Sequence, residues 1–195
     1  MKEYLFYLII RLLCFVFNQL PLRFALGCAR VFGALIYLVN KKRRSLAYAN
    51  LKAAFKAELS PRDRKRIVRG VYFNLAQSFI EVMRFPKIDK DYVKRYVSIE
   101  NRDILEEAVS RKKGVVLLAA HFGNWELLAL SGAILGHPIH IIVKEQKLSR
   151  LNVLLNRYRE LRGAHTVSKG ISVKEIFKSL KENKLVGILA DQDAG

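Results

Sequence analysis

In the stretch LLAAHFGNWELLAL (residues 117–130) an apolar run ends in His121, and a carboxylate, Glu126, follows five residues later. Gly123 and Asn124 punctuate the chain between them. The histidine therefore closes a strand, and the glutamate falls in the first turn of the helix that Gly123 and Asn124 open. An imidazole oriented by a carboxylate is the arrangement needed to take a proton from a hydroxyl. The free amides of a helix start also favour a nearby anion or oxyanion. Spacing alone leaves a second reading equally open, in which His121 is simply a hydrogen-bonding residue of the core. There is no Gly-x-Ser-x-Gly elbow and no cysteine near a histidine, so direct transfer to a substrate hydroxyl fits better than a covalent route. His137 and His140 flank a proline at a strand start and read as ordinary loop residues, His165 is equally unremarkable, and no Cys/His spacing resembles a zinc site.

In open α/β sheets the reactive groups gather at the carboxyl ends of the strands. Asp191 follows GILA at such an end, and the loop after IIVK supplies Glu145 and Gln146. Arg157, Arg159 and Arg162 fall on the helix after that loop.

The elements that must position these groups alternate. YVKRYVSI reads as a short edge strand and residues 101–112 as a helix. VVLLAA is a near-continuous apolar strand of the kind buried on both faces. NWELLALSGAIL is helical, HIIVK a strand, residues 149–162 a helix, AHTV short and extended, SVKEIFKSLKEN a helix, and KLVGILA another buried strand. Such alternation implies an α/β class with a mostly parallel sheet and flanking helices.

Upstream the chain is helical. RRSLAYANLKAAF places apolar residues at helical spacing with basic residues opposite, and Ser60-Pro61 supplies an N-cap with a proline at the first position of the next helix, which Pro86 closes. The chain has 195 residues, 35 Lys and Arg against 17 Asp and Glu, and a formal net charge of +18. That excess addresses an anionic partner. Residues 4–39 decide which one, being nearly all apolar although Arg11, Arg23, Arg30 and Pro21 interrupt them, and KKRR (41–44) follows directly. Pro21 and Arg23 fall where a cleavable signal needs small neutral residues. We therefore expect a membrane anchor at 1–40, spanning once or lying as an interfacial hairpin, then a basic helical segment at 41–90 and the α/β domain at 91–195. The competing reading of 1–40 is a buried helical pair, a setting in which three internal arginines are rare. Anionic membrane lipids are the expected partner and nucleic acid is not. Two cysteines, Cys14 and Cys28, fit a reducing compartment.

HFGNWE resembles the H-x4-D/E signature of glycerolipid acyltransferases, in the form found in the late lipid A acyltransferases (the lauroyl and myristoyl transferases). The similarity extends in order over residues 40 to 195: KKRRSLAYANLKAAF, ELSPRDRKRIVRGVYFNLAQSFIEVMRF, NRYRELRG with Arg159 and Gly163, and VGILADQDAG with its Leu-x-Asp-Gln motif. The resemblance implies that His121 is the general base on an acceptor hydroxyl and that Glu126 orients it. It also implies that Arg159 binds substrate phosphate or developing negative charge, and that Asp191, Gln192 and Asn124 contribute to substrate binding. The donor implied is a fatty acyl thioester of acyl carrier protein or coenzyme A. The acceptor implied is a lipid A precursor or related phosphorylated glycolipid, and the place implied is the cytoplasmic face of a bacterial inner membrane. The chemistry calls for no metal or other cofactor. An enzyme of the same fold acting on a lysophospholipid or phosphoinositide mannoside is the alternative, and a non-catalytic basic membrane- or nucleic-acid-binding protein is the alternative of another class. Members of that family continue past the Asp-Gln motif, whereas this chain stops at Gly195. The resemblance thus implies a C-terminally incomplete domain, with the KLVGILA strand left at an unpaired edge.

Overall fold

The computed structural model describes residues 2–143, 148–168 and 172–192. Its contacts divide the chain into two compact units. One comprises residues 16–83, and the other joins the residues up to Phe15 to those from Arg84 onward.

The unit of residues 16–83 is helical, with α2 (Leu22–Val39), α3 (Lys41–Phe55) and α4 (Pro61–Met83), preceded by the end of α1 (Lys2–Gln19). Ser60 caps α4 as its sequence predicts: its Oγ accepts from the Asp63 amide at 3.1 Å and its hydroxyl donates to the Asp63 carboxylate at 2.6 Å. The stripe Ala25, Ala29 and Gly33 recurs every four residues and is the buried face of α2. It packs toward Val68, Tyr72, Ala76 and Ile80, the buried face of α4. The absent side chain at Gly33 sets this approach, because a Cβ there would lie 2.9 Å from the Phe73 Cα and 3.0 Å from the Tyr72 carbonyl oxygen. The remainder of α2 is largely uncovered: Phe24, Val31, Leu35, Leu38 and Val39 are all exposed.

The second unit is α/β, as expected. Its elements in order are α5 (Lys90–Tyr96), α6 (Arg102–Ser110), β1 (Val115–Ala119), α7 (Trp125–Ile134), β2 (Ile139–Val143), α8 (Ser149–Glu160), β3 (His165–Ser168), α9 (Ser172–Lys181) and β4 (Leu185–Leu189). Among the described residues four strands pair in parallel in the order β1-β4-β2-β3. Fully buried Leu130, Val186, Val93 and Ile88 anchor its core. The first part of α1 belongs to this unit. Glu3 accepts from the Ser149 hydroxyl at 3.2 Å and the Arg150 amide at 3.4 Å.

Three expectations are corrected. YVKRYVSI is not an edge strand, since residues 90–96 form α5. Tyr92, Val93, Tyr96 and Val97 recur at i, i+1, i+4 and i+5, a helical spacing and not an alternation, and Asp89 starts the helix by accepting from the Tyr92 amide at 2.8 Å as an N-cap. The VVLLAA strand is not covered on both faces: β1 lies at the end of the strand order, and Val116 and Leu118 are 50% and 74% exposed. KLVGILA is not left at an edge. β4 sits between β1 and β2 and is paired on both sides, because the crossover through α9 returns the chain to the middle of the sheet.

Candidate active site

β1 and β4 are parallel neighbours in register, Ala119 opposite Leu189. The residues that leave their carboxyl ends are therefore neighbours too, and the Ala190 amide donates to the Ala119 carbonyl at 3.3 Å. Directly after Ala190, Asp191 meets His121. A single carboxylate oxygen, Oδ1, accepts from the His121 backbone amide at 3.0 Å and lies 2.8 Å from ring Nδ1. These two contacts fix the position and the rotation of the ring. The hydrogen bond from His121 holds the Asp191 carboxyl below the usual carboxylate range. The indole of Trp125 packs edge-on to the imidazole, with ring centroids 4.9 Å apart.

Between His121 and α7 the chain turns through Gly123, whose φ of +60° a side chain disfavours. Asn124 then caps α7, its Oδ1 accepting from the Leu127 amide at 3.1 Å. That bond engages the side-chain oxygen of Asn124 in building the helix start.

Glu126, in the first turn of α7, faces α8 rather than the histidine. Arg159 grips it with both arms, Nε to Oε2 at 2.8 Å and Nη2 to Oε1 at 2.5 Å. The third guanidinium nitrogen, Nη1, donates to Asn156 at 3.0 Å. The pair is largely buried, with side-chain exposures of 10% for Arg159 and 15% for Glu126. In this structure the orienting partner of His121 is thus Asp191, and Glu126 holds Arg159. A carboxylate 70 residues away in sequence took the role that spacing assigned to the one five residues away. The sequence signals for Asp191 were its position at a strand end and the Leu-x-Asp-Gln motif, and neither named His121 as its partner.

The remaining sequence-predicted groups divide. Gln192 is exposed beside Asp191, and Arg157 is exposed on α8. Arg162 is structural, donating twice to the Ile88 carbonyl at 3.0 and 3.2 Å. Glu145 and Gln146 lie outside the described residues. Among the described residues no three His, Cys, Asp or Glu side chains converge as metal ligands would.

A cavity of about 150 Å³ joins these groups. His121, Trp125, Glu126 and Arg159 line it together with apolar side chains of β1, α7, β2 and β4, among them Leu117, Leu128, Ile141 and Leu189. It offers a base, a cationic pair and an apolar wall around one space. Phe122, next to the histidine, is 89% exposed.

Comparison with known proteins gives the same direction. The family described as bacterial lipid A biosynthesis acyltransferase matches residues 1–195. The chain is 22% identical over 179 residues to a lipid A biosynthesis palmitoleoyltransferase of Escherichia coli (strain K12), covering 91% of this chain and 57% of that protein. It is similar to the same extent to a lipid A biosynthesis acyltransferase of Shigella flexneri. The chain thus spans somewhat more than half the length of these relatives.

Proposed function

We propose that this chain, which belongs to the bacterial lipid A biosynthesis acyltransferase family, forms the catalytic centre of a membrane-bound O-acyltransferase. The reaction moves a fatty acyl group from a thioester of acyl carrier protein or coenzyme A to a hydroxyl of a lipid A precursor or related phosphorylated glycolipid. The observation that carries this reading is the His121–Asp191 bond at the ends of two adjacent parallel strands, bordering the cavity that Glu126 and Arg159 line.

With Nδ1–H donated to Asp191, ring nitrogen Nε2 is the one directed to chemistry. It takes the proton of the acceptor hydroxyl as that oxygen attacks the thioester carbonyl. Asp191 stabilises the imidazolium that forms, as a carboxylate does in other hydroxyl-activating sites. The tetrahedral intermediate then expels the thiolate, which receives the proton from His121, so thiol and ester are the products. Arg159, held by Glu126, supplies fixed positive charge near the developing oxyanion or the substrate phosphate. The apolar side chains of the cavity suit the first methylenes of the acyl chain.

Membrane attachment in this reading resides in residues 1–40, with 41–90 as a basic helical segment and 91–195 as the catalytic domain. The enzyme faces the cytoplasm from the inner membrane. α2 supports the attachment: its 18 residues, about 27 Å of helix, make it long and apolar enough to cross a membrane, and only 17% of it is buried. The core helix of a soluble protein is mostly covered; this one exposes its apolar side chains.

The test is ester formation by the purified chain with acyl carrier protein- and coenzyme A-linked donors and a lipid A precursor. One added acyl ester is expected, lost in His121→Ala. Absence of ester from the unaltered chain, or its persistence in His121→Ala, refutes the reading.

A further inference from the structure

The helical unit of residues 16–83 carries thirteen Lys and Arg against three acids, Glu58, Asp63 and Glu81. Within it, positive charge collects where little opposes it. The Tyr37 side chain, near the end of α2, receives two guanidinium groups against its ring, Arg44 at 4.8 Å and Arg69 at 5.5 Å from the centroid. Its hydroxyl lies 3.0 Å from that of Tyr48 on α3, and Arg44 also donates to the Tyr37 carbonyl at 2.6 Å. Among the described residues no carboxylate pairs with Arg30, Arg44 or Arg69. Two cations drawn to one ring without a counter-anion are an arrangement that an anion completes.

The same residues border a groove of about 350 Å³ between α2 and α4. Arg30 and Arg69 line it with Tyr37, and its other walls are apolar: Gly33, Ala34, Leu38 and Phe73. Gly33 keeps the two helices close at its floor. Arg30 stands midway along α2, seven residues from Arg23 and on the same face. A helix as apolar as α2 is an expensive place for an unpaired guanidinium in contact with lipid. A groove with apolar walls and two cations suits a molecule with a phosphate and hydrocarbon chains.

We propose that this groove holds one anionic phospholipid, its phosphate on Arg30 and Arg69 and its chains against Ala34, Leu38 and Phe73. The site is separate from the catalytic cavity, and its ligand is a bound lipid rather than a substrate. It rests on the reading that this unit meets a membrane. Bound there, the lipid neutralises the arginine pair and makes attachment selective for anionic headgroups, beyond the diffuse attraction of a basic surface.

Two measurements separate the site from the membrane reading. Flotation of the full chain with mixed phosphatidylcholine–phosphatidylglycerol vesicles tests membrane binding; failure to float sinks that reading alone. Native mass spectrometry of the full chain released from detergent, after exposure to equal phosphatidylglycerol and phosphatidylcholine, tests the site. One retained phosphatidylglycerol in preference to phosphatidylcholine is expected. Arg30→Gln with Arg69→Gln should lower that retention roughly tenfold or more, as the loss of two charge-assisted contacts implies. Ala34→Phe, which fills the groove without changing charge, should do the same. The control pair Lys52→Gln with Lys65→Gln removes equal charge elsewhere in the unit and should retain lipid as the unaltered chain does. Equal retention of both lipids, unchanged retention in Ala34→Phe, or an equal loss in the control pair overturns the proposal. Circular dichroism confirms that each variant is folded.

Discussion

Asp191→Asn separates the two carboxylates of the site. Asparagine has nearly the shape of aspartate, and its amide oxygen can still accept from the His121 backbone amide, now at 3.0 Å from Oδ1. What it cannot do is carry the charge opposite the ring nitrogen that lies 2.8 Å away. If His121 acts as the base, the variant should lose on the order of 10²–10⁴-fold in transfer rate, the range for disabling acid–base catalysis. Both side chains are partly exposed, 27% for His121 and 35% for Asp191, so solvent screens the pair and its loss should leave the melting temperature nearly unchanged. Glu126→Gln is the opposite case. It leaves Arg159, 10% exposed, without its bidentate partner. Breaking a buried pair from one side costs about 3–5 kcal/mol, so the dominant effect should be on stability, seen as a lower denaturation midpoint. The assay is initial-rate acyl transfer beside thermal and denaturant unfolding of both variants. A rate loss in Glu126→Gln at unchanged stability, with Asp191→Asn nearly fully active, would refute the assignment and return the orienting role to Glu126.

Further outcomes follow from other parts of the structure. His140 and His165 stand opposite each other on β2 and β3, ring centroids 4.8 Å apart, with Ser179 bonded to His140 Nδ1 at 3.0 Å. Burial, then the neighbouring His165 and Lys184, push His140 below the usual imidazole range, against Glu182 and Glu175. The folded state thus resists its protonation, and stability should be full above ~6.5, where an unfolded histidine titrates, and fall as pH drops below it. In His140→Asn the melting temperature should depend less on pH over that window; an unchanged slope removes His140 as the cause. Gly33→Val places a branched side chain where a Cβ already meets the Phe73 backbone at 2.9 Å. It should destabilise the helical unit by about 1–3 kcal/mol, and a denaturation midpoint equal to that of the unaltered chain would show the helices free to part. Phe24→Ser with Leu35→Ser, at positions 70% and 52% exposed, should weaken sedimentation with membranes in high salt while leaving the helical content intact by circular dichroism. Undiminished sedimentation would move attachment away from α2.

Much of the secondary structure was legible in the residues themselves. Hydrophobic runs bounded by the Gly123-Asn124 turn and by the Ser60-Pro61 cap carry their own start and stop signals, and these depend only on backbone chemistry within a few residues. The position of His121 at a strand end and of Glu126 in the following first turn was legible for the same reason. The helix in YVKRYVSI was legible too, in the i, i+1, i+4, i+5 spacing of Tyr92, Val93, Tyr96 and Val97 and in Asp89 as its cap, but the β-branched and aromatic residues suggested a strand instead. Strand order was beyond reach altogether. A parallel strand needs a long crossover, and nothing in KLVGILA states that it returns between β1 and β2. That return places Asp191 against His121 across 70 residues, while packing of α7 on α8 draws Glu126 to Arg159. The sequence determined which groups stand at the carboxyl ends of the strands; the tertiary structure decided which of them touch, since pairing across a sheet is fixed by topology and not by spacing along the chain.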